Sequence, residues 1–355
     1  MTDEKTKQAA PPAASTAVVK QANGDSKVVA LTAAFGDVYI KVTKDGQILR
    51  PIKAQIKLFE KVGHFYGLPA KYNPATGKSE KRHAIASAGY VHLNKVASIS
   101  ILSPPTVVRD GVEQPNPYVE RNPKTRAIES VIVRKIGIGY SPAGNITAID
   151  KTLYYNPYTY FIQSIQAKMN KDKWVDGKKT DEKANLNAAV VGVADEKPTR
   201  PGSWVFFPIE LPLGLWANYE DPAIIDCLEE HTQRQRFGDR TAQTIVERNI
   251  LKDHPAIGVS NVIAQAGSVP EQGQVTTVEV YGYRHNMGYA DLKDLMRQAA
   301  KGTGEVEVKA EVIAQVDSAE EREVLAEIAE EDKVAGAEGL FDKAMGEDLK
   351  KKGKF

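Results

Sequence analysis

Cysteine is nearly missing from this chain: Cys227 is the only one in 355 residues. A lone thiol excludes an intramolecular disulfide and any cysteine-cluster metal site, and it fits a reducing cytosol, so the expected location is cytoplasmic. No stretch reaches the ~18 consecutive apolar residues that a membrane-spanning helix needs, so no membrane partner is expected. Nucleotide and hydrolase signatures are missing as well. There is no GxxxxGK[ST] loop, no HExxH helix and no GxSxG elbow. Gly137-Ile138-Gly139 runs into Tyr140-Ser141-Pro142 instead of a helix-opening glycine, so it is no dinucleotide fingerprint. The six histidines (His64, His83, His92, His231, His254 and His285) fall at no metal-ligand spacing. Binding without a required cofactor is the expectation, with Mg2+ the one candidate ion, on Asp150 together with Glu113, Glu120 or Glu129.

What is present is a globular composition with an uneven charge. Apolar residues make up 42% of the chain, enough for a core, and the net charge is +1. From Gly302 to Phe355 there are 8 Lys or Arg against 15 Asp or Glu, a net of −7, which leaves +8 on residues 1–301. Within that body, Arg121 to Lys179 holds 11 basic and 4 acidic residues. The chain therefore reads as three parts. Residues 1–26, rich in Ala, Pro, Thr, Lys and Gln, form a disordered tail. Residues 27–301 form an α+β core, and residues 302–355 an acidic, partly helical tail outside it.

Local patterns place the elements. Ile128, Ile132, Ile136 and Ile138 share one parity and Val131 and Val133 the other, which predicts a strand covered on both faces. Ser141-Pro142-Ala143-Gly144-Asn145 is a cluster of turn formers, and Ile146–Tyr155 resumes the extended pattern, so the two make a hairpin. Asn156-Pro157 supplies an N-cap and a first-turn proline for a helix to Met169. Helical spacing puts Tyr158, Phe161, Ile162, Ile165 and Met169 on its buried side and Tyr160, Gln163, Gln166 and Lys168 elsewhere. Upstream, the spacing predicts a helix over Pro51–Tyr66, another over Ala84–Ala97 and a strand over Ser98–Leu102. Downstream it predicts a lysine-rich loop over Asn170–Ala184, strands over Ala188–Ala194 and Ser203–Ile209, and an apolar connection over Leu211–Tyr219. Asp221-Pro222 opens a helical stretch of ~30 residues with Gly238 as its expected break. A strand over Val275–Tyr283 and a helix over Tyr289–Ala300 complete the core.

Basic residues interleaved with aromatics suit single-stranded nucleic acid, where cations track phosphates and rings stack on bases for roughly 1–3 kcal/mol each. Tyr154, Tyr155, Tyr160 and Trp174 lie near Lys151, Lys168, Lys171 and Lys173, although strand alternation must turn one of Tyr154 and Tyr155 inward. On the late helix, Arg236, Arg240, Arg248 and Lys252 fall in one four-residue row. Arg134 and Lys135 complete the set of candidate contacts. The competing interpretation is a solvated basic surface with core tyrosines.

The order helix Ala84–Ala97, strand Ser98–Leu102, hairpin Ala127–Tyr155 and helix Pro157–Met169 resembles the core of phage-type single-strand annealing recombinases, the RecT/Redβ group. Gly89-Tyr90 leading to Ile99-Ser100-Ile101 and Val107-Val108 is similar to that family's Gly-Tyr helix and first strand. Arg240-Thr241-Ala242 to Leu251 resembles its late basic helix. The likeness spans about residues 84–260, apart from an insertion over Asn170–Tyr219. It implies an ATP-independent protein whose ring or filament of subunits lays one DNA strand in a basic groove for annealing in recombination or repair. An exonuclease or single-strand-binding protein would then contact the C-terminal tail. Two other classes stay open: a phage or plasmid assembly protein that oligomerises without nucleic acid, and a metal-dependent nuclease.

Overall fold

The structure, a computed structural model, describes residues 28–30, 39–42, 48–68, 70–73, 77–175, 178–185, 187–268, 273–284, 288–301 and 307–329. The proposed N-terminal tail, 1–26, lies outside them, as does most of the C-terminal region past residue 329. The fold is α+β, and its sheets pair antiparallel. Its helices are α1 (Ser87–Ala97), α2 (Pro157–Met169), α3 (Pro222–Asp253), α4 (Tyr289–Lys301) and α5 (318–329). None is long and apolar enough to cross a membrane. The chain divides into two compact units, Met1–Ser100 with Gly137–Ile149 and Leu251–Lys309, and Ile101–Ile136 with Asp150–Ile250 and Ala310–Phe355.

The first unit is built on two long strands, Ile48–Phe59 and Gln274–Arg284, in continuous antiparallel register from Arg50↔Arg284 to Phe59↔Val275. The expected helix over Pro51–Tyr66 is therefore a strand, followed by a 3-10 turn at Glu60–Val62. The i, i+4 spacing of Ile52 and Ile56 misled, because Ile52, Ala54, Ile56 and Leu58 also alternate with the exposed Lys53, Gln55 and Lys57. Pro51 is tolerated because pairing with Tyr39–Val42 ends at Leu49, so that edge needs no N–H from it. Helix α1 forms over Ser87–Ala97, while the first residues of the expected helix, Ala84 and Ile85, belong to the strand His83–Ile85; the helix lies against the two long strands. Its Gly89 is required by space: a Cβ there would sit 2.1 Å from the His64 carbonyl oxygen, which caps this region by accepting from the Ala86 N–H.

In the second unit the sheet order is Tyr118–Arg121, Ile128–Tyr140, Ile146–Tyr155, Glu307–Ile313. The hairpin and α2 form where the sequence places them. Gly144 takes φ +79° in the turn, and the Asn156 side chain accepts from the Tyr158 N–H at 2.9 Å. Four expectations are corrected. The lysine-rich loop is a second hairpin, Asp172–Val175 with Lys178–Lys183. The apolar connection after Leu211 contains the central strand, Leu213–Asn218, of a three-stranded sheet, as an uninterrupted apolar run can. Gly238 does not break α3; a Cβ there would lie 3.2 Å from the Tyr155 ring and 3.3 Å from Ile128, so the glycine lets helix and sheet approach. The acidic segment also does not stand apart. Its strand Glu307–Ile313 pairs beside Ile146–Tyr155, and α5 buries Val324, Leu325 and Ile328.

Gly89→Ala separates propensity from packing. Alanine favours a helix over glycine by about 1 kcal/mol, but the clash with the His64 carbonyl and Ile85 costs more, in the range of about 1–3 kcal/mol for overpacking. The expected outcome is a lower thermal midpoint; a midpoint at or above that of the parent would overturn the packing assignment.

Candidate nucleic-acid interface

Alternation along the two hairpin strands sorts the candidate residues by face. Arg134, Asp150, Thr152 and Tyr154 share one side of the sheet. Lys135, Lys151 and Tyr155 share the other, which α2, α3 and α5 cover. On the covered side every cation meets a carboxylate of the chain itself. Lys135 pairs with Glu247 of α3, and Lys151 with Glu311 of the edge strand. Arg248 pairs with Glu323 at 2.6 Å and Glu320 at 3.4 Å.

The deepest pair is Arg234 with Glu321, neither of which has exposed side-chain surface. Arg234 Nε donates to Glu321 Oε1 at 2.9 Å and Nη2 to Oε2 at 3.0 Å, while the Tyr155 hydroxyl donates to Oε1 at 2.7 Å. Burial raises the Tyr155 hydroxyl well above its ordinary pKa, and the Glu321 charge adds to that rise. Tyr160, stacked on Tyr155 at 5.3 Å between ring centroids, is pushed up to about 12 by burial and accepts from the Val316 N–H at 3.2 Å.

The twelve sequence-predicted contacts therefore separate. Lys135, Lys151, Tyr160 and Arg248 are buried and partnered, so in this arrangement they offer nothing to a phosphate or a base. Arg134 is held by Asp150, with Nε to Oδ1 at 3.0 Å and Nη2 to Oδ2 at 2.6 Å. Lys168 pairs with Asp226 at 2.9 Å. Lys171, Lys173, Arg236 and Arg240 are exposed, and Lys252 is half-buried. Trp174 occupies a position in the Asp172–Val175 strand, but its side chain lies outside the described set. The single stripe expected on α3 does not exist. Twelve residues at about 100° each leave Arg248 about 120° round the helix from Arg236, enough to turn one outward and the other into the core. The sequence reading missed Arg234, whose only local signal is Glu230 one turn before it, 3.3 Å from Nη2.

The opposite side of the sheet carries a groove of about 470 Å3, lined by Val107, Val108, Asp110, Gly111, Arg134, Asp150, Thr152, Tyr154 and residues 310–312. Its shape suits a small ligand, but its charge argues against a phosphate. Arg134 is neutralised by Asp150, and the two acidic residues at the rim, Asp110 and Glu311, are paired with Arg109 and Lys151, so the lining offers a phosphate no net positive charge. The carboxylates weighed for Mg2+ do not converge. Glu120 accepts from Ser130 at 2.8 Å and pairs with Arg109 at 3.0 Å, and Glu129 accepts from Asn122 at 2.7 Å. Among the described residues no group of three His, Cys, Asp or Glu side chains is placed to hold a metal ion.

Comparisons with family models, curated proteins and solved structures find no match to this chain.

Two stability predictions follow from the buried charges. Glu321→Gln leaves Arg234 without its counter-charge and is expected to lose about 3–5 kcal/mol in denaturant unfolding, whereas Arg234→Met with Glu321→Leu recovers much of that loss. His231, stacked on Phe161 at 4.6 Å, is lowered to about 4 by burial, reinforced by the Arg234 charge. Its unfolded value is ~6.5, so its contribution is full above that pH and is lost as pH falls towards about 4. His231→Gln should accordingly narrow the stability difference between pH 7 and pH 5; an unchanged difference would place the acid sensitivity elsewhere.

Proposed function

We propose that this protein binds single-stranded nucleic acid through its phosphate backbone and anneals complementary strands without ATP, as the resemblance to the RecT/Redβ group implies. The observation that carries this reading is the outer face of α3. Arg236 and Arg240 stand one turn apart and exposed, on a 32-residue helix whose inner face is fixed to α5 by the Arg234 and Arg248 pairs. The Arg236 guanidinium lies 4.7 Å from the Phe237 ring centroid, within cation–π range. Lys171 and Lys173, exposed at the second hairpin, belong to the same unit.

Each phosphate neutralised by such a cation releases counterions, so affinity arises without reading sequence, and base pairing with an incoming strand supplies specificity. Nothing in that scheme needs hydrolysis or a metal. DNA, a homo-oligomeric ring or filament, a cytoplasmic setting, and an exonuclease or single-strand-binding protein on the C-terminal tail complete the reading.

A second reading, an assembly protein that oligomerises without nucleic acid, is favoured by one feature. Ile209, Leu211 and Leu213 are 53%, 73% and 53% exposed around one hairpin tip, an apolar patch in search of a cover.

The two separate in one experiment. Binding of a fluorescent single-stranded oligonucleotide is measured across a salt series, for the parent and for Arg236→Ala with Arg240→Ala. The expected result is salt-steep binding by the parent, ATP-free acceleration of annealing, and a slope flattened by about 1–2 units in the variant. Unchanged affinity and slope would remove α3 from the interface. No binding at low salt, together with an oligomer that Leu211→Asp dissociates, would favour the assembly protein.

A further inference from the structure

The groove beside Tyr154 is built wholly from residues of the second unit, and its volume of about 470 Å3 lies in the range of small-ligand sites. Its charges stand in two tiers. Asp110 and Glu311 are at the rim, paired with Arg109 and Lys151. Arg134 and Asp150 lie deeper, with 25% and 7% of their side-chain surface exposed. Beside them Tyr154 is 40% exposed, and its hydroxyl donates to the Val108 carbonyl at 3.4 Å, which ties it to the strand Thr106–Arg109. The exposed side chains of Val108 and Val312 give the groove apolar walls.

Asp150 occupies only one edge of the Arg134 fork. Its oxygens accept from Nε at 3.0 Å and from Nη2 at 2.6 Å. A guanidinium carries five N–H groups, and those on the remaining edge, at Nη1 and Nη2, have no partner among the described residues. Two parallel donors fit two adjacent acceptors, as in a carboxylate, a phosphate or the O6 and N7 of guanine. The first two are anions, and Arg134 already has its counter-charge in Asp150, so the lining offers them no net attraction. Guanine needs none. It is neutral, it meets the fork by hydrogen bonding alone, and its flat ring can stack on an exposed tyrosine. Adenine puts a donor beside N7, and thymine has a single acceptor on the same edge, so each fills only half the fork.

We propose that this groove binds a guanine base, its O6 and N7 accepting from Nη1 and Nη2 of Arg134 and its ring lying against Tyr154. Asp150 is a positioning residue: held almost out of water, it fixes the guanidinium by the other edge. The groove lies on the side of the sheet away from α3, so this site is independent of the Arg236 and Arg240 contacts and stands or falls without them. The base can belong to a strand or to a free nucleoside. In a strand, O6 and N7 stay accessible when guanine pairs with cytosine, so the contact is compatible with pairing.

The test titrates deoxyguanosine and its 7-deaza analogue, which keeps O6 and has carbon in place of N7, against the full-length chain by saturation-transfer NMR. Deoxyguanosine is expected to bind about tenfold tighter than the analogue, within the range for one bidentate pair. Arg134→Lys keeps a charge beside Asp150 but has no second edge, so it should bring that ratio to about one. Tyr154→Ala should weaken both ligands, and Tyr154→Phe should bind them as the parent does. A second arm finds the source of the base: a fluorescent oligothymidylate with one central guanine is compared with plain oligothymidylate at fixed salt. Tighter binding of the guanine strand, lost in Arg134→Lys, supports the site with a base held in a strand; a nucleoside preference without a strand preference supports it with a free nucleoside. Equal binding of deoxyguanosine and its analogue, no saturable binding of either, or a ratio that survives Arg134→Lys overturns the inference. Should Arg134→Lys fail to fold, the two Tyr154 variants, made at an exposed position, decide together with the parent's 7-deaza ratio.

Discussion

A guanidinium with no contact to water must find its counter-charge inside the protein, and Arg234 finds it in Glu321, far along the chain. Several features of the second unit depend on that demand. It draws α5 onto α3, it gives the Tyr155 hydroxyl an acceptor, and it brings Val316 over Tyr160. It also places Glu320 and Glu323 within reach of Arg248, about four turns further along α3. A buried pair of this kind adds little net stability over an apolar substitute, because desolvation consumes much of the Coulombic gain. What it adds is register: one arrangement of α5 on α3 pairs all the charges, and any slip strands a buried arginine.

The distribution of cations follows from the same contact. The basic body and acidic C-terminal region, distinct as composition, are interlocked as structure, and part of the apparent excess charge cancels internally. Lys135, Lys151 and Arg248 are spent within the fold. Of the candidate cations, Arg236 and Arg240 on the outer face of α3 and Lys171 and Lys173 at the second hairpin are the exposed ones.

Legibility from sequence tracked the range of the determining contacts. The hairpin Ile128–Tyr155 and helix α2 could be placed because Ser141–Asn145, Asn156 and Pro157 act within a few residues of themselves. The strand Ile48–Phe59 was misread because its partner, Gln274–Arg284, lies at the other end of the chain and local spacing fits a helix as well as a strand. Gly238 reads locally as a break in its helix; it and Gly89 instead mark close approaches to segments that no local pattern reveals. Helical spacing puts Tyr160 off the buried side of α2 and makes it a candidate contact, because Val316, whose N–H it accepts from, belongs to a segment expected outside the core.

By itself the sequence determined the α+β class, the turns and caps, the start of α3, the absence of nucleotide and metal motifs, and the division of charge between body and tail. Only the tertiary structure decided which charges are buried against a partner and which are exposed. Secondary structure responds to neighbours a few residues away, so it can be read in order along the chain. Whether a lysine or arginine is free to meet a phosphate depends on a carboxylate that can be a hundred or more residues distant, as Glu247 is from Lys135 and Glu311 from Lys151, and only folding brings the two together.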